Sequence, residues 1–152
     1  MDNIAVCLEL EAMLEAATSD TLETMCFFGV MGPLEEMPAG EERISARLTF
    51  RGDANGVFHT MLDLSAAWAI AANFLGEEVA DVSRSRMEAV VCELANMICG
   101  SVLSNYKKDG HFELSSPEIT GAEEAQPDQA VQRVFELETG SIALAMDLRP
   151  KP

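Results

Sequence analysis

The most constraining feature of the sequence is an apolar segment, residues 87–106, that is interrupted by small and polar residues along one line only. At about 100° per residue on an α-helix, that line is a narrow stripe of five positions: Ala89, Glu93, Asn96, Gly100 and Ser104. Almost every other position is apolar, so the helix must be buried on most sides within a layered domain. We predict that it begins near Ser83 or Ser85 and ends at Tyr106.

Residue patterns elsewhere predict two more helices and several strands. Apolar spacing favours helices over 4–26 and 66–75, the second with Asp63 or Ser65 as cap and Gly76 as its end. Strands are predicted at 27–30, 44–51, 57–64, 111–120, 130–139 and 141–149, with a loop at 32–40 and turns at 52–56, 121–128 and 140.

This order of elements predicts one domain, 1–152, with an α/β sandwich of the α+β type. A largely antiparallel sheet would be covered by helices on one face, and strands 44–51 and 57–64 would pair as a hairpin. The C-terminal hairpin would supply an edge able to pair with another copy.

The charge of the chain limits its partners. It has 26 acidic and 10 basic residues, a net charge of -16, and its first 42 residues contain neither Lys nor Arg. Nucleic acid and anionic membrane are therefore excluded as expected partners. The charge fits either a solvated surface or a preference for a basic partner. Without a membrane-length apolar run or a signal-peptide pattern, we expect a cytoplasmic protein.

The cysteines and histidines do not predict a metal site. Cys7, Cys26, Cys92 and Cys99 form no C-x-x-C pair, and His59 and His111 are isolated from them and from each other. Apolar surroundings in helical runs favour core packing for three of the four thiols. We expect no metal and no cofactor of the chain's own.

Two interpretations are open for Glu93 and Asn96. Polar pairs three residues apart are common on solvated helix faces, which is the simpler interpretation. However, a solvated stripe usually carries longer charged side chains, whereas here Ala89 and Gly100 flank the pair. Small residues would allow the backbone of another protein to approach closely.

The segment Glu93-Leu94-Ala95-Asn96-Met97-Ile98-Cys99-Gly100, followed by Pro117 and Gly121, resembles the signature of the CheC/CheX/FliY chemotaxis phosphatases, and of CheX in particular. Twenty residues separate Asn96 from Pro117, slightly fewer than is usual there. The resemblance covers roughly 43–121, including the stretches 62–67 and 75–77. Ala89 stands where the family often has Asp or Ser. The second copy of the motif seen in CheC-like proteins is absent near Asp20, so one active site is expected.

The resemblance implies a phosphatase acting on the aspartyl phosphate of a CheY-type receiver domain. Asn96 would orient the attacking water, and Glu93 would pair with the receiver's active-site Lys. Ala89, Met97, Gly100 and Ser104 would contact the partner, and Pro117 would shape the strand below the helix. The receiver would supply Mg²⁺, and the chain would be a homodimer. The alternative is a non-catalytic receiver-binding or flagellar-switch scaffold on the same fold. An unrelated ligand-binding domain around Trp68 is disfavoured, because core packing explains that residue.

Overall fold

The computed structural model describes residues 3–121 and 130–151, with side chains from residue 7 onward in the first range. The helices are α1 (Asn3–Met25), α2 (Leu64–Leu75) and α3 (Arg84–Tyr106), with a 3-10 turn at Val79–Asp81. The strands are β1 (Val30–Leu34), β2 (Arg43–Gly52), β3 (Ala54–Asp63), β4 (Phe112–Leu114), β5 (Glu118–Thr120), β6 (Val131–Leu137) and β7 (Ser141–Pro150).

All strand pairs in the sheet are antiparallel, in the order β1-β6-β7-β3-β2, with β4 and β5 following one another along the outer edge of β2. The predicted hairpin is confirmed: β2 pairs with β3 from Arg43 opposite Asp63 to Phe50 opposite Gly56. The α+β sandwich prediction is therefore correct.

One face of the sheet forms the core with the helices. The register places Ile44, Leu62 and Ile142 side by side, and Leu48, Phe58 and Met146 likewise, and all six are buried. This period-2 pattern is the one that predicted the strands, because alternate side chains point to opposite faces. Helix α3 lies over β2 and packs against α1 and α2.

The helix ends follow the capping chemistry predicted for them, with one exception. Gly76 ends α2 in the left-handed conformation at φ 68°, and the Ser83 hydroxyl accepts from the Arg86 amide at 3.3 Å to begin α3. Asp63 occupies the N-cap position of α2 without a capping hydrogen bond. Its buried carboxylate instead accepts from the Ser141 hydroxyl at 2.6 Å.

Two strand predictions are wrong in their extent. The first strand covers 30–34, so it includes Gly32 and Pro33, which were predicted as loop. A proline has no backbone N–H to donate, and it is tolerated there because β1 is an edge strand that has a hydrogen-bonded neighbour on one side only. The predicted strand 111–120 is broken into β4 and β5 around Pro117.

The C-terminal hairpin lies at the sheet edge only over 131–133, which is less than was predicted. β7 lies inside the sheet between β6 and β3, and β1 covers β6 over 134–137. The edges are instead β1 on one side and β4 with β5 on the other. The predicted turn at 121–128 falls, apart from Gly121, outside the described residues.

Candidate functional site

Helix α3 exposes the predicted stripe on its surface because its other faces are buried in the core. Nine of its residues are buried: Met87, Val90, Val91, Leu94, Ala95, Ile98, Cys99, Val102 and Leu103. By length and composition alone, this helix is long and apolar enough to span a membrane. Its burial against the sheet, α1 and α2 accounts for that apolar character.

The stripe lies on the opposite, accessible side of α3. Ala89, Glu93 and Ser104 are exposed, while Asn96 and Gly100 are half-buried. Met97 is also half-buried, one position after Asn96. The structure thus brings the sequence-predicted site residues together on one surface, as the helical periodicity required.

Glu93 and Asn96 are neighbours one turn apart on this surface, at the helical spacing that puts their Cβ atoms about 5–6 Å from each other. Within the described part of the chain, neither side chain makes a hydrogen bond or ion pair. A carboxylate contributes acceptors only, and an amide contributes both a donor and an acceptor. The pair therefore offers complementary hydrogen-bonding groups to a molecule docked on the stripe.

Gly100 leaves a gap in the stripe one turn beyond Asn96. A Cβ built on Gly100 would have no heavy atom within 4 Å outside the helix's own local backbone. The fold therefore has no steric need for glycine here, although glycine weakens a helix interior. The gap is available to an approaching partner.

The C-terminal end of α3 is tied to the β2–β3 turn through Asp53. The Asp53 carboxylate accepts from the His111 amide at 2.8 Å and lies 3.4 Å from the Lys107 ammonium. The hydrogen bond from His111, supported by the positive charge of Lys107, lowers the pKa of Asp53 below its ordinary value of 3.8. Lys107 occupies the C-cap position of α3, where a positive charge suits the end of a helix.

The connection that carries Pro117 runs along the edge of β2, between β4 and β5. The Ser115 amide donates to the Thr49 carbonyl at 2.8 Å, and the Thr49 amide donates to the Ser115 hydroxyl at 2.9 Å. Pro117 itself is half-buried. Its position between two short strands is consistent with a role in shaping the strand rather than in chemistry.

No group of three or more metal-binding side chains occurs among the residues that the structure describes. Burial raises the pKa of the Cys99 thiol to about 12 and that of Cys26 to about 11. Both thiols thus stay protonated at neutral pH and pack as small apolar groups, as predicted.

One feature near the site was not predicted from the sequence. Arg86 falls on the same side of α3 as Glu93, and its guanidinium lies 2.5 Å from the Glu77 carboxylate. Glu77 lines a surface cavity with Phe27, whose ring is 76% exposed. Local pattern placed Phe27 in a strand, and only the approach of the segment after α1 to the end of α2, where the Asn73 amide donates to the Phe27 carbonyl at 3.4 Å, reveals this juxtaposition.

Several solved structures share this fold. The CheX protein of Vibrio vulnificus is 17% identical, with a TM-score of 0.73, over 92% of this chain and 96% of its own. CheX in the CheX-CheY-BeF3-Mg²⁺ complex of Borrelia burgdorferi is 19% identical, with a TM-score of 0.72, over 91% and 97%. Thermotoga maritima FliY is 16% identical, with a TM-score of 0.58, over 90% and 85%. The fold is thus that of the CheC-like proteins.

The sequence model of one family within this class, described as chemotaxis phosphatase CheX, matches residues 44–136. This range includes the whole of α3 and the hairpin beneath it. The chain belongs to the CheX family. No curated protein sequence matches it significantly.

Proposed function

We propose that this chain is a protein phosphatase that hydrolyses the aspartyl phosphate of a CheY-type receiver domain. The observation that carries the proposal is the pair Glu93 and Asn96, which stands on the accessible stripe of an otherwise buried helix. Membership of a family of chemotaxis phosphatases supports the reaction class. The complex of Borrelia CheX with CheY supports the class of partner.

A receiver domain already holds most of the machinery for the reaction. Its aspartyl phosphate is coordinated by Mg²⁺ and contacted by a Lys, so the remaining barrier is the placement of a water in line with the bond to be broken. The water oxygen bonds to phosphorus as the bond to the aspartate oxygen breaks, and the products are inorganic phosphate and the free carboxylate. The phosphatase therefore needs to position groups rather than supply a nucleophile.

Asn96 is the proposed water-positioning residue. Its amide oxygen accepts a hydrogen bond from the water, while its NH₂ group donates to a phosphoryl oxygen. Asn96 is half-buried, so its amide lies close to the helix surface on which the receiver would dock.

Glu93 is the proposed docking group for the receiver's Lys. It is exposed and free of ion pairs within the described part of the chain, so its carboxylate can pair with an incoming ammonium group. Ala89, Met97, Gly100 and Ser104 would form the surrounding contact surface. The excess of acidic residues would also accelerate encounter with a partner that presents basic groups.

In this proposal Mg²⁺ belongs to the receiver, and the chain works in the cytoplasm, where receivers are found. We also propose that it is a homodimer. Since the C-terminal hairpin lies mostly inside the sheet, the pairing would use β1 or the β4–β5 edge. Light scattering at several concentrations would give the mass of the assembly directly.

The test is the decay of a ³²P-labelled CheY-type receiver with Mg²⁺, with and without the chain. Wild type should accelerate the decay, and Asn96→Ala should abolish the acceleration. Asn105→Ala is the matched control, because Asn105 is exposed on the same helix but away from the stripe. Binding without acceleration would instead identify a non-catalytic receiver-binding scaffold on the same fold.

A further inference from the structure

Phe27, just after the end of α1, combines an unfavourable backbone conformation with an exposed aromatic ring. Its φ is 50°, the left-handed conformation in which glycine is the usual residue after a helix, and its ring is 76% exposed. The amides of Cys26 and Phe28 both donate to the Leu22 carbonyl, at 3.1 and 3.0 Å, which holds the backbone in this conformation. Neither the strained backbone nor the exposed ring stabilises the fold.

The surroundings of Phe27 form an acid-rimmed apolar patch. Its ring lines a surface cavity beside the end of α2, and Glu77, Glu78 and Asp81 line the same cavity. All three acidic residues are exposed. Glu77 is paired with Arg86, so Glu78 and Asp81 supply the carboxylates that have no ion pair among the described residues. An apolar anchor beside these two carboxylates fits a protein segment that presents an apolar side chain next to a Lys or Arg.

This patch is linked to the accessible side of α3 through one ion pair. Glu77 pairs with Arg86 at 2.5 Å, and Arg86 shares the helix side of Glu93. Arg86 and Glu93 are seven positions apart in the helix, or about 10 Å along its axis. A receiver domain is about 30 Å across, so one molecule docked at Glu93 and Asn96 would also cover the patch.

We infer that the Phe27 patch is a second docking point for the same receiver, and that it takes an apolar side chain flanked by basic groups. This inference rests on the proposed function for the identity of the partner. A second copy of the chain is disfavoured as the occupant, because its net charge of -16 would meet an acidic rim. The patch would contribute to affinity and orientation, and not to the chemical step.

The test measures the Kd of the chain for a Mg²⁺- and beryllofluoride-activated CheY-type receiver. Phe27→Gly removes the ring and also relieves the positive-φ strain, so the variant should be at least as stable as wild type. We expect its Kd to rise about five- to tenfold, the mark of an interface anchor. The catalysed decay rate at saturating chain should stay unchanged.

Two further variants sharpen the result. Leu8→Ala is the matched control: it removes another exposed apolar side chain from the far end of α1, and it should bind like wild type. Glu78→Lys should weaken binding and reduce its dependence on salt, because it reverses one charge of the rim.

An unchanged Kd for Phe27→Gly would overturn the inference while leaving the phosphatase proposal intact. A lower oligomeric mass of the Phe27→Gly variant in light scattering would also overturn the inference, since the patch would then be an interface between two copies of the chain. A wild type that fails to bind the activated receiver would overturn it too. Conversely, Phe27-dependent binding by a wild type that does not accelerate decay would support this inference and refute the proposed function.

Discussion

Substituting Gly100 by Ala should stabilise the chain and impair the proposed activity at the same time. Ala is favoured over Gly in a helix interior by about 0.5–1 kcal/mol, and the new Cβ would meet no atom within 4 Å beyond its own helix turn. For a domain of this size, about 1 kcal/mol raises Tm by roughly 2–4 °C. We therefore expect a rise of about 1–4 °C.

The same methyl group would occupy the gap that the proposed interface uses. Overpacking a fitted contact costs about 1–3 kcal/mol, which corresponds to about a five- to 150-fold loss in kcat/KM for receiver dephosphorylation. Thermal unfolding followed by circular dichroism and decay of the phosphorylated receiver are the two assays. Ser101→Ala is the control, since it raises helix propensity off the stripe and should leave kcat/KM unchanged.

A Gly100→Ala variant with a lowered Tm would show that the fold itself needs glycine at this position. A raised Tm with unchanged kcat/KM would show that no partner approaches the gap. Either result would show that the open space above Gly100 does not serve as a contact site for the receiver.

Three other predictions test the fold that supports the site. Because the pKa of Asp53 is lowered in the folded state, its carboxylate stabilises the fold above the unfolded value of 3.8, and this is lost as pH falls through the folded pKa. The free energies of urea unfolding of wild type and Asp53→Asn should therefore differ near neutral pH and become equal in acid. A difference that stays constant with pH would contradict this prediction. Alkylation at neutral pH should label exposed Cys7 and spare buried Cys99 until the chain unfolds. Mass spectrometry would identify the labelled cysteines, and labelling of Cys99 before Cys7 would contradict the prediction. Ser141→Ala would deprive the buried Asp63 carboxylate of its hydroxyl donor and should cost about 1–3 kcal/mol in urea unfolding, whereas an unchanged midpoint would show that the bond is unimportant.

The sequence predicted the helices well because each has an apolar pattern and local stop signals. Ser83 caps the start of α3 and Gly76 ends α2, as expected, and both act through neighbouring residues of the chain. The stripe was predictable for the same reason, since 3.6-residue periodicity alone decides which residues of a mostly buried helix share its accessible side.

The sequence failed where distant segments decide the local conformation. Gly32 and Pro33 have the composition of a turn, but pairing with β6 holds them in an edge strand. The position of β7 inside the sheet depends on its pairing with β3, about 80 residues earlier in the chain, and no local pattern records such pairing. The Phe27 patch was missed likewise, because it exists only where the segment after α1 meets the end of α2.

The most direct test of the central claim compares wild type with Asn96→Ala at concentrations that saturate the phosphorylated receiver. Saturation removes differences in affinity, so the decay rate reports only the chemical step. We expect strong acceleration by wild type, and decay at the receiver's own rate when Asn96→Ala is bound. Equal acceleration by the two proteins would contradict the assigned role of Asn96, and no acceleration by wild type would contradict the phosphatase function itself.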